Sequence, residues 1–154
     1  MSDLKLKINE HVKAAMRAHA KERLGTLRMA TAAIKQKEVD ERIALSDAHI
    51  VDILNKMIKQ RRESAAHFVA AGRTDLSAKE LAEISVLEEF LPEPLAATAL
   101  DALIEDAIAT TGITSVKEMG NLMATLKINI AGRADMAVVG QKVKARLERL
   151  TGKH

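Results

Sequence analysis

Only two prolines interrupt this chain, Pro92 and Pro94, and both stand in the run FLPEPL at 90–95. Proline locks φ, removes an N–H donor and pushes the preceding residue out of the helical region, so no helix runs through this point. On both sides apolar residues recur at spacings of three and four, the signature of helices that bury one face. Upstream the stripes are Leu4, Ile8, Val12 and Ala15, then Leu24, Leu27, Thr31 and Ile34. A third stripe opens near Ser46 with Ile50, Leu54, Met57, Ile58, Ala65 and Phe68, and a fourth takes Leu81, Ile84, Leu87 and Leu91. Downstream, Leu100, Leu103, Ile104, Ala107 and Ile108 mark one helix, Met119, Leu122, Met123 and Leu126 a second, and Met136, Val139, Val143, Leu147 and Leu150 a third. No stretch alternates with period two long enough for a strand. The expectation is an all-α chain, with a multi-helix N-terminal domain over 1–91 and a small three-helix C-terminal domain over 95–154.

Local punctuation supports these boundaries. Gly112, after two threonines, suits a helix stop, and Ser115 with Glu118 three residues on reads as a capping box opening the next helix. Two near-identical runs, AGRTDL at 71–76 and AGRADM at 131–136, each place a glycine after one helix and an aspartate before the next. Gly132 and Gly72 read as C-caps, Asp135 as an N-cap, and Asp75 or Ser77 as the start of the fourth helix. The shared letters are one capping solution reached twice, because the flanking segments show no sustained repeat. Neither run supplies the glycine spacing, lysine and hydroxyl of a phosphate loop.

The chain has 154 residues, 47% of them hydrophobic, enough to bury one solid core or two small ones. No apolar run reaches the roughly 18 residues of a membrane span, and the charged N-terminus is unlike a secretory signal. Zero cysteines exclude disulfides and thiolate chemistry. These features predict a cytoplasmic protein. Five histidines occur (His11, His19, His49, His67, His154) without HExxH or paired ligand spacing. Glu63 and His67 share a helix face but read as a solvated pair. The residues predict no catalytic group, metal or cofactor.

Charge placement is more informative than the net charge of +3. Basic residues outnumber acidic ones over 1–37 and again over 133–154, while 92–132 is acidic. In KMIKQRRES at 56–64, Lys59, Arg61 and Arg62 cluster on a helix, and Arg61 continues the apolar stripe. It either pairs with Glu80, Glu83 or Glu88 or lines a groove. On the last helix Lys142, Arg146 and Arg149 share a face beside the apolar stripe, the footprint expected of phosphate contacts. Phe68 and Phe90 are the only aromatic residues and sit at core-like positions, so base stacking on exposed rings is excluded as a binding mode. A folded RNA held by backbone and shape fits better than a loose strand.

KMIKQRRES, AGRTDL, the acidic approach to EEFLPEPL and the closing AGRADM before a basic helix resemble the YqeY family of small bacterial proteins over nearly the whole chain. That family is similar to the tail domain of GatB, a component of the glutamine-dependent Asp-tRNA/Glu-tRNA amidotransferase, and to a domain appended to some glutaminyl-tRNA synthetases. The resemblance implies a helical N-terminal domain, a small helical C-terminal domain and a tail that helps hold tRNA. The tail pattern of glycine, basic residue, alanine and aspartate falls here on Gly132, Arg133, Ala134 and Asp135, with Met136 where proline or glycine is common. No part of this chain matches the catalytic or ammonia-channel regions of that enzyme. The expected function is therefore a non-catalytic tRNA-binding or tRNA-enzyme accessory protein. Its expected nucleic-acid contacts are Arg133, Lys142, Arg146 and Arg149, with Lys59, Arg61 and Arg62 as a second surface. Expected partners are tRNA and a tRNA-charging or amidotransferase enzyme. The alternative is a helical protein–protein adaptor without RNA binding, and catalysis of amidotransfer by the chain itself is a distant third.

Overall fold

The computed structural model describes residues 2–152, so Met1, Lys153 and His154 lie outside the description. Within the described residues every regular element is helical. The helices are α1 (Asp3–Arg17), α2 (Lys21–Glu41), α3 (Asp47–Ala70), α4 (Thr74–Glu88), α5 (Ala97–Thr111), α6 (Met119–Ile130) and α7 (Met136–Leu150), with a 3-10 turn at Val116–Glu118 before α6. The chain divides into two compact units, one ending at Leu91 and the other beginning at Pro92.

In the first unit, α1 and α3 each begin at a serine cap. Ser2 caps α1 by accepting from the Lys5 N–H, and its hydroxyl also donates to Asp47, which accepts from the Leu4 N–H as well. One carboxylate at the start of α3 thus anchors the start of α1. Ser46 and His49 form a reciprocal box at α3, the hydroxyl accepting from the His49 N–H and the His49 Nδ1 from the Ser46 N–H. The core is Ile8 from α1, Leu27 and Ile34 from α2, Ile50 and Leu54 from α3, and Leu87 with Phe90 from α4 and its end. Each such side chain contributes about 1.5–3 kcal/mol by leaving water.

Two stripe positions depart from the periodic expectation. Leu81 is 53% exposed, while Ser77 is buried with Ile84 and Leu87. The arc that α4 turns inward runs through Leu76, Ser77 and Glu83 towards Leu87, and Leu81 falls off its edge. Phe68 is half-buried rather than core.

The second unit packs α5, α6 and α7 around Ile104, Leu122, Leu126, Val139, Val143 and Leu147. Gly112, at φ 71°, stops α5, its N–H bonding the Ile108 carbonyl. Ser115 accepts from the Lys117 N–H and therefore caps the 3-10 turn. α6 begins only at Met119, with no side-chain cap. The box expected from Ser115 and Glu118 is displaced by this extra turn, which consumes the residues between them.

Candidate nucleic-acid interface

The two similar runs do different things. In AGRADM, α6 ends at Ala131, itself left-handed at φ 50°, and Gly132 follows at φ 77°. The C-cap is therefore Ala131, one residue earlier than the glycine that sequence pattern selects. Asp135 caps α7 by accepting from the Ala137 N–H at 2.9 Å, as its position implies. In AGRTDL, Gly72 at φ 73° follows the C-cap Ala71, but the N-cap of α4 is Arg73, which has no side-chain cap bond. Asp75 lies in the first turn of α4, and Ser77 is buried inside it. The Asp75 carboxylate accepts from the Arg73 guanidinium and from the Leu76 N–H, and these bonds hold it below the usual aspartate range. An aspartate two residues beyond a glycine-arginine pair can cap or clamp, and the turn geometry decides between them.

Arg133 turns towards the proline segment. Consecutive left-handed residues swing its backbone so that its carbonyl accepts from the Leu95 N–H at 2.9 Å, while its Nε donates to the Glu93 carbonyl at 2.8 Å. Both bonds lie within the second unit. Arg133 thereby fastens the exit of FLPEPL, a role its sequence position does not suggest.

The basic face of α7 is present but largely occupied. Lys142 Nζ lies 3.0 Å from Asp101, and Arg146 donates twice to Glu105, at 2.6 and 2.9 Å. The double hydrogen bond from Arg146, reinforced by its charge, holds Glu105 below the usual glutamate range and raises Arg146 in turn. Arg149 is exposed, and its side chain has no hydrogen bond or ion pair among the described residues. Asp101 and Glu105 are one turn apart on α5, as Lys142 and Arg146 are on α7, so the paired stretches run in the same direction. Between them lies an open groove lined by these four residues with Ile104, Ala145 and Arg149.

The second basic surface is mostly structural. Arg61 bonds Glu83 at 3.0 Å with both side chains largely covered, 13% and 15% exposed, and also reaches the Met57 carbonyl and the Met29 sulfur. A guanidinium so enclosed stitches α2, α3 and α4 together and is not presented to a ligand. Arg62 makes a looser, exposed contact with Glu88 at 3.6 Å, and Lys59 is exposed with no ion pair among the described residues. Glu63 and His67 are both exposed, and no group of three His, Cys, Asp or Glu among the described residues is placed to hold a metal. No described helix is long and apolar enough to cross a membrane.

One polar cluster escapes sequence reasoning altogether. Arg23 on α2 donates from two nitrogens to Glu89, at 2.6 and 3.0 Å, and also contacts His11 Nδ1 at 2.8 Å. An arginine only donates, so Nδ1 accepts. The His11 ring meets Phe90 edge-on at 5.0 Å, and the Lys7 ammonium lies over the Phe90 ring. Positions 11, 23 and 89 share no periodic relation, so no pattern in the chain links them.

Comparison with known proteins shows what the chain is similar to. Residues 5–147 match the family described as Yqey-like protein. Among curated relatives, Altered inheritance of mitochondria protein 41, mitochondrial, of Eremothecium gossypii is 34% identical over 68% of this chain and 61% of its own. The protein of the same name from Kluyveromyces lactis is 37% identical over 54% and 45%. That from Pyrenophora tritici-repentis is 28% identical over 90% and 77%. The match thus spans about half to three-fifths of the first two relatives. These relatives are fungal, which leaves the expectation of a bacterial protein in doubt, and their names lend no support to the cytoplasmic expectation.

Proposed function

This chain belongs to the Yqey-like protein family, and on that premise we propose that it is a non-catalytic accessory protein of tRNA metabolism that holds tRNA through phosphate contacts. The observation that carries the reading is the shared face of Lys142, Arg146 and Arg149 on α7, beside an open groove and above a packed core. Phosphates bind such a face without base readout, which accords with a chain that has only two phenylalanines, one buried and one half-buried. The tRNA class, rather than any polyanion, comes from the resemblance to the amidotransferase tail. The site favoured here is narrower than the full set of expected contacts. Arg149, Lys142 and Arg146 form its centre, Lys59 and Arg62 remain accessible for a second contact, and Arg61 and Arg133 act as positioning residues.

The test is a titration of the whole protein with total tRNA at two salt concentrations. In a Lys142→Ala, Arg146→Ala, Arg149→Ala variant, affinity falls and the dependence of log affinity on log salt flattens by up to about three phosphate contacts' worth. Helical content stays unchanged, because the three residues flank the apolar stripe. Unaltered affinity and salt slope in the folded variant overturn the reading. Weight then passes to the protein–protein adaptor, for which the specific observation is Ile128 on α6, a large apolar side chain 79% exposed.

A further inference from the structure

The bridging of α7 to α5 carries an inference that rests on the ridge being the tRNA-binding face. We infer that Asp101 and Glu105 restrict what the ridge accepts: they occupy Lys142 and Arg146 in the free protein, and only an anion presenting several phosphates together displaces them. The two ion pairs cross an open groove instead of a close-packed helix interface, with Ile104 and Ala145 between them. All four charged side chains keep contact with water, at 36% and 60% exposure in one pair and 35% and 50% in the other. Exposed ion pairs contribute little and exchange partners readily.

A single phosphate that replaced one carboxylate would gain about what it displaced, and would then sit beside the carboxylate it had released. A phosphate backbone faces a different balance. It engages Arg149 first, which has no carboxylate partner among the described residues, and then exchanges at Arg146 and Lys142 along one helix face. Consecutive contacts about a turn apart, roughly 4.5 and 6 Å along the helix, suit a chain of phosphates and not an isolated one. The acidic face of α5 thus works as negative selection against small anions, by the same like-charge repulsion that suppresses wrong partners at protein interfaces. The chemical class admitted is a phosphodiester backbone.

The experiment compares the whole protein, Asp101→Asn with Glu105→Gln, the triple alanine variant of α7, and the five substitutions combined. Each is verified as helical by circular dichroism at the assay temperature. The probes are total tRNA at two salt concentrations and inorganic phosphate followed by the Arg146 Nε–H resonance. Neutralising the two acids tightens tRNA binding several-fold at low salt, because Lys142 and Arg146 no longer have to leave a carboxylate first. Inorganic phosphate moves the Arg146 resonance in that variant and leaves it in place in the unmodified protein. Loss of binding in the triple variant with no change on neutralising the acids overturns this inference while the ridge stands. No change in the triple variant removes the ridge and this inference with it. Tightening that persists in the combined variant places the acids' effect elsewhere and also overturns it.

Discussion

Arg133 illustrates how far a residue's role depends on its neighbours' backbone. Its charge and its position before a basic helix suggest a phosphate contact, yet the left-handed pair Ala131 and Gly132 aims its Nε at the Glu93 carbonyl. The side chain and the carbonyl of one residue therefore hold two points of the proline segment. Arg133→Ala removes one of these bonds, and a net loss of roughly 1 kcal/mol corresponds to about fivefold faster exchange of the Leu95 amide. Amide exchange followed by NMR checks this, with the α7 amides Val143 and Leu147 as the unaffected reference. Unchanged exchange at Leu95 would show that the Arg133 carbonyl alone suffices.

At the scale of elements, helices are joined by charged side chains at their edges as well as by apolar faces. Arg23 of α2 links His11 of α1 to Glu89 at the end of α4. The hydrogen bond from Arg23 holds the Glu89 carboxyl below its usual value near 4.5; its partial burial opposes this, and the positive charge nearby adds to it. A carboxyl lowered in the folded state contributes stability that is fully present above its unfolded value and is lost as pH falls through the folded one. Glu89→Gln is therefore less stable than the unmodified protein at pH 7, and loses less further stability on acidification below about pH 4.5. Urea denaturation at a series of pH values measures this. The remaining slope belongs to Glu38, Asp47, Asp75 and Glu105, whose carboxyls are lowered by their own hydrogen bonds. Parallel pH profiles for the two proteins would remove Glu89 from the account.

For the whole molecule, the two apolar cores share no residue. One contains Ile8, Leu27, Leu54 and Leu87, and the other Ile104, Leu126, Val143 and Leu147. Leu54→Ala, at a fully buried position, costs roughly 2–5 kcal/mol through lost transfer energy and the cavity left behind. Native-state amide exchange then accelerates in α1 to α4 and is unchanged in α5 to α7, if each core holds its own helices. Acceleration throughout would mean that the two units unfold as one.

The helical class and the break at Pro92 can be read along the chain, because a period of three to four residues and a missing N–H act through the local backbone alone. The cap formed by Asp135 follows in the same way, since its partner, the Ala137 N–H, lies two residues on. Tertiary structure decided everything that depends on distant partners: that Leu81 faces out while Ser77 goes in, and that Arg61 is enclosed by Glu83. It decided that Arg133 clamps the proline segment, and that Asp101 and Glu105 already occupy two of the three bases on the α7 face. Charge can be read along a chain, but whether a charge is available depends on which opposite charge the fold brings within about 3 Å, and separations of 22 to 66 residues leave no periodic trace of that meeting.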